Sequence, residues 1–128
     1  MAKIPRKLSP AEWRVMNLCW KLRKATARQI YEASLQDQKR DYQTVKTLLD
    51  RITGKGYLKM DKLGPLCIYS PAVSRASVVA GAVEDFVETV LDNSVAPLYQ
   101  HLAKNEEISE EELEVLRDLL RKAEEKER

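Results

Sequence analysis

The chain has 128 residues, enough for one compact domain or a small domain with a short accessory one. Apolar residues make up 44% and charged residues 33%, so a real core fits under a heavily charged surface, while four glycines argue against a turn-rich all-β fold. The net charge of +2 hides an asymmetry. Residues 1–69 carry 15 Lys/Arg against 6 Asp/Glu, a balance of +9, and residues 70–128 carry 7 against 14, a balance of −7. A basic half joined to an acidic half implies that one half meets a polyanion and the other does something else.

The basic start, MAKIPRKLSPAEW, lacks the apolar segment of a signal peptide, and no run of about 18 apolar residues occurs. A cytoplasmic protein with no membrane partner is expected. Cys19 and Cys67 are far apart and form no C-x-x-C, so they read as reduced thiols, not as a disulfide or a metal site.

Ser9, Pro10, Ala11 and Glu12 make a strong helix start: a capping serine, a proline at the first helical position and a glutamate placed to close a capping box. Leu8 is placed to act as a hydrophobic staple. Val15, Met16, Cys19, Trp20 and Leu22 follow, predicting a helix over about residues 10 to 23. Lys24 and Ala25 read as a short link. Thr26 with Gln29 is a second capping box, and Ile30, Tyr31, Ala33 and Leu35 give the second helix its inner face.

Asp41 is a good N-cap for a third helix, whose Val45, Leu48, Leu49 and Ile52 point inward at spacings of three and four. Gly54 and Gly56 stop it. Residues 57 to 61 and 66 to 70 read as strands around a turn at Lys62, Leu63, Gly64 and Pro65. Three helices and a hairpin within about 60 residues fit a winged helix-turn-helix.

Residues 75 to 124 read as almost pure helix, with Pro97 expected to break or start one. Val79, Val83, Phe86, Val90 and Leu91 form one apolar stripe. Val95, Leu98, Tyr99 and Leu102 form another. Ser109 with Glu112 is a third capping box, followed by Leu113, Leu116, Leu119 and Leu120. Such stripes need covering, and a second copy of the chain is the expected cover. The fold class is therefore mainly α with a small β-hairpin wing. A winged-helix DNA-binding domain over 1–73 precedes a helical dimerisation domain over 74–128. Phe86, Val90, Leu98, Leu113, Leu116 and Leu120 are the expected dimerisation residues.

The outer side of the third helix carries Gln43, Thr44, Lys46, Thr47 and Asp50, with Arg51 at its edge. A major groove admits one helix and offers donors and acceptors that Gln, Thr, Lys and Arg are suited to meet. Gln43, Thr44, Lys46 and Thr47 are the candidate base and phosphate contacts. Lys39, Arg40, Arg51 and Lys55 surround the same element, Lys59 and Lys62 lie at the wing, and Tyr42 and Tyr69 are placed for sugar-phosphate. Tyr69 fits packing at the wing base equally well.

The stretches LSPAEWRVMNLCW, TARQIYEASL, YQTVKTLLDRITGKGYL, IYSPAVSR and EEISEEELEVLRDLLRK together resemble the penicillinase-repressor (BlaI/MecI-type) family of winged-helix regulators. The resemblance spans residues 8 to 122. It implies a homodimer on a palindromic double-stranded DNA operator that blocks transcription, with β-lactamase, cell-wall or resistance genes as targets. It implies that Gln43, Thr44, Lys46 and Thr47 match the family's DNA contacts and that residues 75 to 122 make the dimer. Family members are released by cleavage at an Asn-Phe bond or, in copper-responsive relatives, carry a C-terminal Cys-x-Cys pair. This chain has neither, and the corresponding bond falls near His101 and Leu102, so the inactivating protease or inducer is unidentified.

An enzyme has little support: no Ser/His/Asp arrangement, no Gly-rich phosphate loop and no H-E-x-x-H occur, and no catalytic residue, cofactor or metal is expected. His101, the only histidine, has no companions for a metal site. The competing reading is a winged-helix protein–protein adaptor without specific DNA binding, which would leave the +9 balance around one helix and one wing without a purpose.

Overall fold

The computed structural model describes residues 7–104 and 108–126, without the side chains of Leu120 and of residues 123–126. Helix α1 (Pro10–Leu22) starts on a closed capping box. The Glu12 amide donates to Ser9 Oγ at 3.2 Å, and the Ser9 amide donates to Glu12 Oε1 at 2.7 Å. Val15, Met16 and Cys19 recur at helical spacing and are buried with Leu8. Burial pushes the Cys19 thiol up to about 12, so it stays protonated and behaves as an apolar core group.

The next step was not expected from the sequence. Ala25 and Thr26 form a strand, β1 (Ala25–Thr26), where a plain link was predicted. The cause is the cap that follows. Thr26 caps α2 (Ala27–Ser34), and an N-cap residue needs extended backbone, here φ −76 and ψ 161. Its extended segment is then free to pair with a neighbouring strand. Leu35, expected on the inner face, is 42% exposed, because α2 ends one residue earlier. Ser34 is buried there instead, its hydroxyl donating to the Tyr31 carbonyl at 2.6 Å.

Helix α3 (Tyr42–Gly54) is capped by Asp41, which accepts from the Thr44 amide at 2.8 Å. Strands β2 (Leu58–Leu63) and β3 (Leu66–Pro71) form the wing, and β1 adds to β3, giving an antiparallel sheet in the order β1-β3-β2. The turn is tighter than predicted: Leu63 pairs with Leu66, leaving only Gly64 and Pro65 in the loop. Gly64 has φ 62, the positive value that the first position of a type II′ hairpin turn demands. Period-two alternation puts Leu58, Met60, Lys62, Cys67 and Tyr69 on one face of the hairpin, and Lys59, Asp61, Leu63, Leu66 and Ile68 on the other.

After the wing come α4 (Arg75–Thr89), α5 (Ala96–Lys104) and α6 (Glu110–Lys126). Pro97 sits in the first turn of α5, where its missing N–H costs nothing. Asp92 and Asn93, at φ 51 and 62, end the α4 segment in the left-handed region that these short polar residues tolerate. The chain divides into two compact units, and the boundary falls inside α4, between Val78 and Val79.

In the first unit, Val15, Met16, Ile30, Val45, Leu49, Ile52 and Tyr69 are almost wholly buried. The chain leaving the wing is tied to α1: Trp20 Nε1 donates to the Val73 carbonyl at 3.1 Å, and Arg75 Nε donates to Asn17 Oδ1 at 3.2 Å. In the second unit α5 packs on α6, and Arg117 donates to the Tyr99 hydroxyl at 2.6 Å. Among the described residues no α4, α5 or α6 side chain is fully buried below Val79.

Glu12 is the buried charge of the first unit, at 3% exposure. Lys55, just past α3, donates to its Oε1 at 2.6 Å and to the Lys7 carbonyl at 2.9 Å. Burial alone would raise the Glu12 carboxyl, but the Lys55 and Ser9 hydrogen bonds outweigh it and hold the group below its ordinary value. A lowered folded value means that the carboxylate stabilises the fold above the ordinary glutamate pKa and that this is lost as the pH falls through the lowered one. Lys55→Met strands a buried carboxylate. It should cost about 3 kcal/mol at neutral pH and reverse the acid-side slope of the thermal midpoint, which a pH series of melting curves would show.

Arg23 adopts φ 66 and ψ −55 between α1 and β1, and the Lys24 amide donates to the Leu22 carbonyl at 2.7 Å. This is a γ-turn with positive φ, a strained geometry for a residue with a Cβ. The strain costs about 1–3 kcal/mol, against about 0.5–1 kcal/mol for the extra freedom of an unfolded glycine. Arg23→Gly should therefore raise the thermal midpoint, and a lowered midpoint would show that the turn is unstrained.

Candidate nucleic-acid interface

Helix α3 has one buried face and one exposed face, for a simple reason. Val45, Leu48, Leu49 and Ile52 are all at most 7% exposed. At 3.6 residues per turn this turns Gln43, Thr47 and Asp50 to the opposite side, with Thr44 and Arg51 along one edge and Lys46 along the other. Gln43, Thr44, Asp50 and Arg51 are exposed and Thr47 is half-buried. Tyr42, at the first turn, is 36% exposed and packs edge-on against Tyr31 at 5.7 Å between ring centres. Arg40 precedes the helix half-buried, its Nη2 donating to Gln38 Oε1 at 2.9 Å.

Lys46 does not stand free. Its Nζ donates to Tyr69 Oη at 2.8 Å and to Asp50 Oδ1 at 3.0 Å. Tyr69 Oη donates to Asp50 Oδ1 at 3.2 Å. The hydrogen bond to Tyr69 and then that to Asp50 raise the Lys46 ammonium well above the ordinary lysine value, so it stays charged. Burial raises the Tyr69 hydroxyl, so it stays protonated. Of the two places open to Tyr69, the structure shows the wing base: it is 1% exposed, and its hydroxyl is held inside this cluster. The Lys46–Asp50 spacing of four was visible in the sequence, but the contact from Tyr69, 23 residues from Lys46, was not.

The wing lysines are both exposed but differ in placement. Lys62 shares the hairpin face of Tyr69, hence the α3 side, and pairs in register with Cys67. Lys59 projects from the other face. The wing tip exposes Leu63 at 66% and Leu66 at 48%. Lys39 is exposed in the loop before α3. Lys55, grouped with these cations on sequence, is instead held by Glu12 with its side chain only 19% exposed.

Of the expected dimerisation residues, Phe86 on α4 and Val90 just past its end are exposed, at 42% and 67%. Leu98 on α5 and Leu113 and Leu116 on α6 are half-buried, and the Leu120 side chain lies outside the described residues. Among the described residues the exposed large apolar side chains of α6 are Val115 and Leu119, at 59% and 58%, and Val83 joins the α4 stripe at 52%. The sequence placed Val115 on no stripe. The third capping box is present in its serine half, Ser9-like: Ser109 Oγ accepts from the Glu112 amide at 3.1 Å.

Among the described residues no group of His, Cys, Asp or Glu is arranged to hold a metal ion, and no helix is long and apolar enough to cross a membrane. His101 is exposed on α5.

Known proteins resemble the chain across both units. The Penicillinase repressor family model matches residues 8–122. The methicillin resistance regulatory protein MecI of Staphylococcus aureus strain N315 is 28% identical over 115 residues, 90% of this chain and 94% of that protein. The penicillinase repressor of the same species is 28% identical over 120 residues, 94% of this chain and 95% of that protein. The solution structure of the DNA-binding domain of the repressor BlaI superposes with a TM-score of 0.52 at 29% identity, covering 59% of this chain and 92% of that one. BlaI of Bacillus licheniformis, solved as a monomer in complex with the blaP half-operator, gives a TM-score of 0.50 at 29% identity over the same shares. A family match over nearly the whole chain, with a winged helix of the right order beneath it, leaves one assignment: the chain belongs to the penicillinase repressor (BlaI/MecI) family of winged-helix transcriptional regulators, not to a family of enzymes.

Proposed function

We propose that the protein is a cytoplasmic repressor that binds a palindromic operator as a homodimer and controls β-lactamase, cell-wall or resistance genes. The observation that carries the DNA reading is the outer face of α3, which sets Gln43, Thr44 and Arg51 in the open, with Thr47 half-buried between them, on a helix whose other face is buried. The relative solved on a half-operator shares this fold. In the reading, α3 enters the major groove, Gln43, Thr44 and Thr47 meet base edges or the adjoining phosphates, and Arg51, Arg40, Lys59, Lys62 and the Tyr42 hydroxyl meet the backbone. Lys46 faces the same groove from its fixed position beside Tyr69.

The homodimer is supported by the apolar side chains left open on α4 and α6. Val83, Phe86 and Val90 follow the i, i+3, i+7 spacing of one helical face. Exposed apolar patches of this kind mark association surfaces. Two copies would hold two α3 helices about 34 Å apart, one turn of DNA, which is what a palindromic operator requires. Leu98, Leu113 and Leu116, half-buried where α5 packs on α6, would support that association from the same unit.

Phe86→Glu tests both halves together. Phe86 is exposed, so the substitution spares the fold of a single copy. For a dimer contacting six to ten phosphates, the logarithm of the affinity should fall with the logarithm of salt at a slope of about −5 to −9. Phe86→Glu should sediment as a monomer and bind the same duplex with about half that slope. A variant that stays dimeric moves the interface off α4, and a wild-type slope near zero removes the DNA reading.

A further inference from the structure

Asp50 poses a problem for a face meant for DNA. It is a carboxylate, its side chain is 61% exposed, and it sits in the middle of the outward row of α3. A polyanion repels it. A helix-surface pair with Lys46 alone would be loose and screened. The contact is not of that kind, because Tyr69 closes it. Tyr69 Oη accepts from Lys46 Nζ at 2.8 Å and donates to Asp50 Oδ1 at 3.2 Å, while Lys46 Nζ reaches the same oxygen at 3.0 Å. Tyr69 is 1% exposed and in register on the central strand β3, between Ala25 and Met60. Its hydroxyl is therefore a fixed point of the core, and both charged side chains hang from it.

Resting on the DNA-binding reading above, we propose that Lys46 and Asp50 are a pre-set pair that reads one G·C base pair, and that Tyr69 is the residue that positions them. The pair carries no net charge, so it adds nothing to phosphate neutralisation. What it offers is direction. Both bonds go to Asp50 Oδ1, and Oδ2 takes no part in the triangle. Lys46 has three N–H donors and spends two here. A G·C pair in the major groove shows acceptors on guanine beside a donor on cytosine. The one lysine N–H left over, donated to guanine O6 or N7, and an aspartate oxygen accepting from cytosine N4 match that pattern side by side. Side chains already fixed before binding lose little freedom on binding, which sharpens discrimination. In this arrangement the aspartate also penalises a wrong pair, because a base presenting an acceptor to Oδ2 is repelled.

The test is selection from a randomised duplex library with the full chain, with Asp50→Asn and with Tyr69→Phe. Tyr69→Phe keeps the ring in the core and removes no charge. The wild-type pool should contain one G·C position per half-site that Asp50→Asn relaxes by about tenfold, with the other positions unchanged. Tyr69→Phe should flatten the same position, while its salt slope on the selected duplex stays that of the wild type. Equal weakening at every position would mean that Tyr69 is merely structural, and unchanged preferences in both variants would mean that the triangle reads nothing. Either result overturns the inference alone. A wild-type pool without enrichment overturns the DNA-binding reading itself, and this inference with it.

Discussion

Burial of one face of α3 is the constraint on which the rest of the molecule depends. Val45, Leu48, Leu49 and Ile52 are taken almost completely from solvent. Each contributes about 1.5–3 kcal/mol, where an exposed ion pair on the same helix is worth about 0–1 kcal/mol. The apolar face therefore decides the rotation of the helix, and the outer row has no say in it. Gln43, Thr44, Thr47 and Arg51 therefore do not set the rotation of the helix, which leaves them free for the recognition proposed above. The supports around the helix serve the same end. Asp41 caps its start. Lys55 fastens its far end to α1 through Glu12, 43 residues away in sequence. Tyr69 fixes its flank to the sheet. Rigid placement of a reading helix is what lets a few short side chains discriminate among base edges.

Much of this was legible in the sequence, and the limits fall where long-range contacts decide. The capping boxes at Ser9 and Thr26 and the cap at Asp41 are local chemistry, and they set three helix starts correctly. The periodicity of Val45, Leu48, Leu49 and Ile52 gave the rotation of α3. Strand β1 was missed because two residues have no readable period; only pairing of Ala25 with Tyr69 and Thr26 with Ile68 makes them a strand. Lys62 and Leu63 read as turn because Gly64 and Pro65 dominate the local signal, yet the ladder runs two pairs further, Lys62 with Cys67 and Leu63 with Leu66. Lys55 reads as one cation among several in the sequence, because its buried partner Glu12 lies 43 residues away. Lys46 likewise read as a free donor, since nothing in the local pattern points to Tyr69.

The two units follow different physics. The first encloses a core of its own around Val15, Met16, Ile30, Leu49, Ile52 and Tyr69, with Leu63 and Leu66 exposed at the wing tip. The second leaves Val83, Phe86, Val90, Val115 and Leu119 in the open, while α5 and α6 pack on each other. The charge follows the same division: the basic balance of +9 lies with the winged helix and the acidic −7 with the later helices. An acidic region adds no affinity for a polyanion, so in the proposed reading the DNA contacts come from the basic first unit and the spacing of two copies selects the operator.

The most direct test of α3 as a reading helix is to identify the DNA fragments that co-purify with the native protein and compare them with those held by a Gln43→Ala/Thr47→Ala double variant. Both side chains lie on the outer face, away from the core. A small set of palindromic promoter sites, lost in the variant, is the expected result, and the genes beside those sites would name the targets. No enrichment with the native protein, or the same sites retained by the variant, would contradict it and leave the winged helix as a surface for binding another protein.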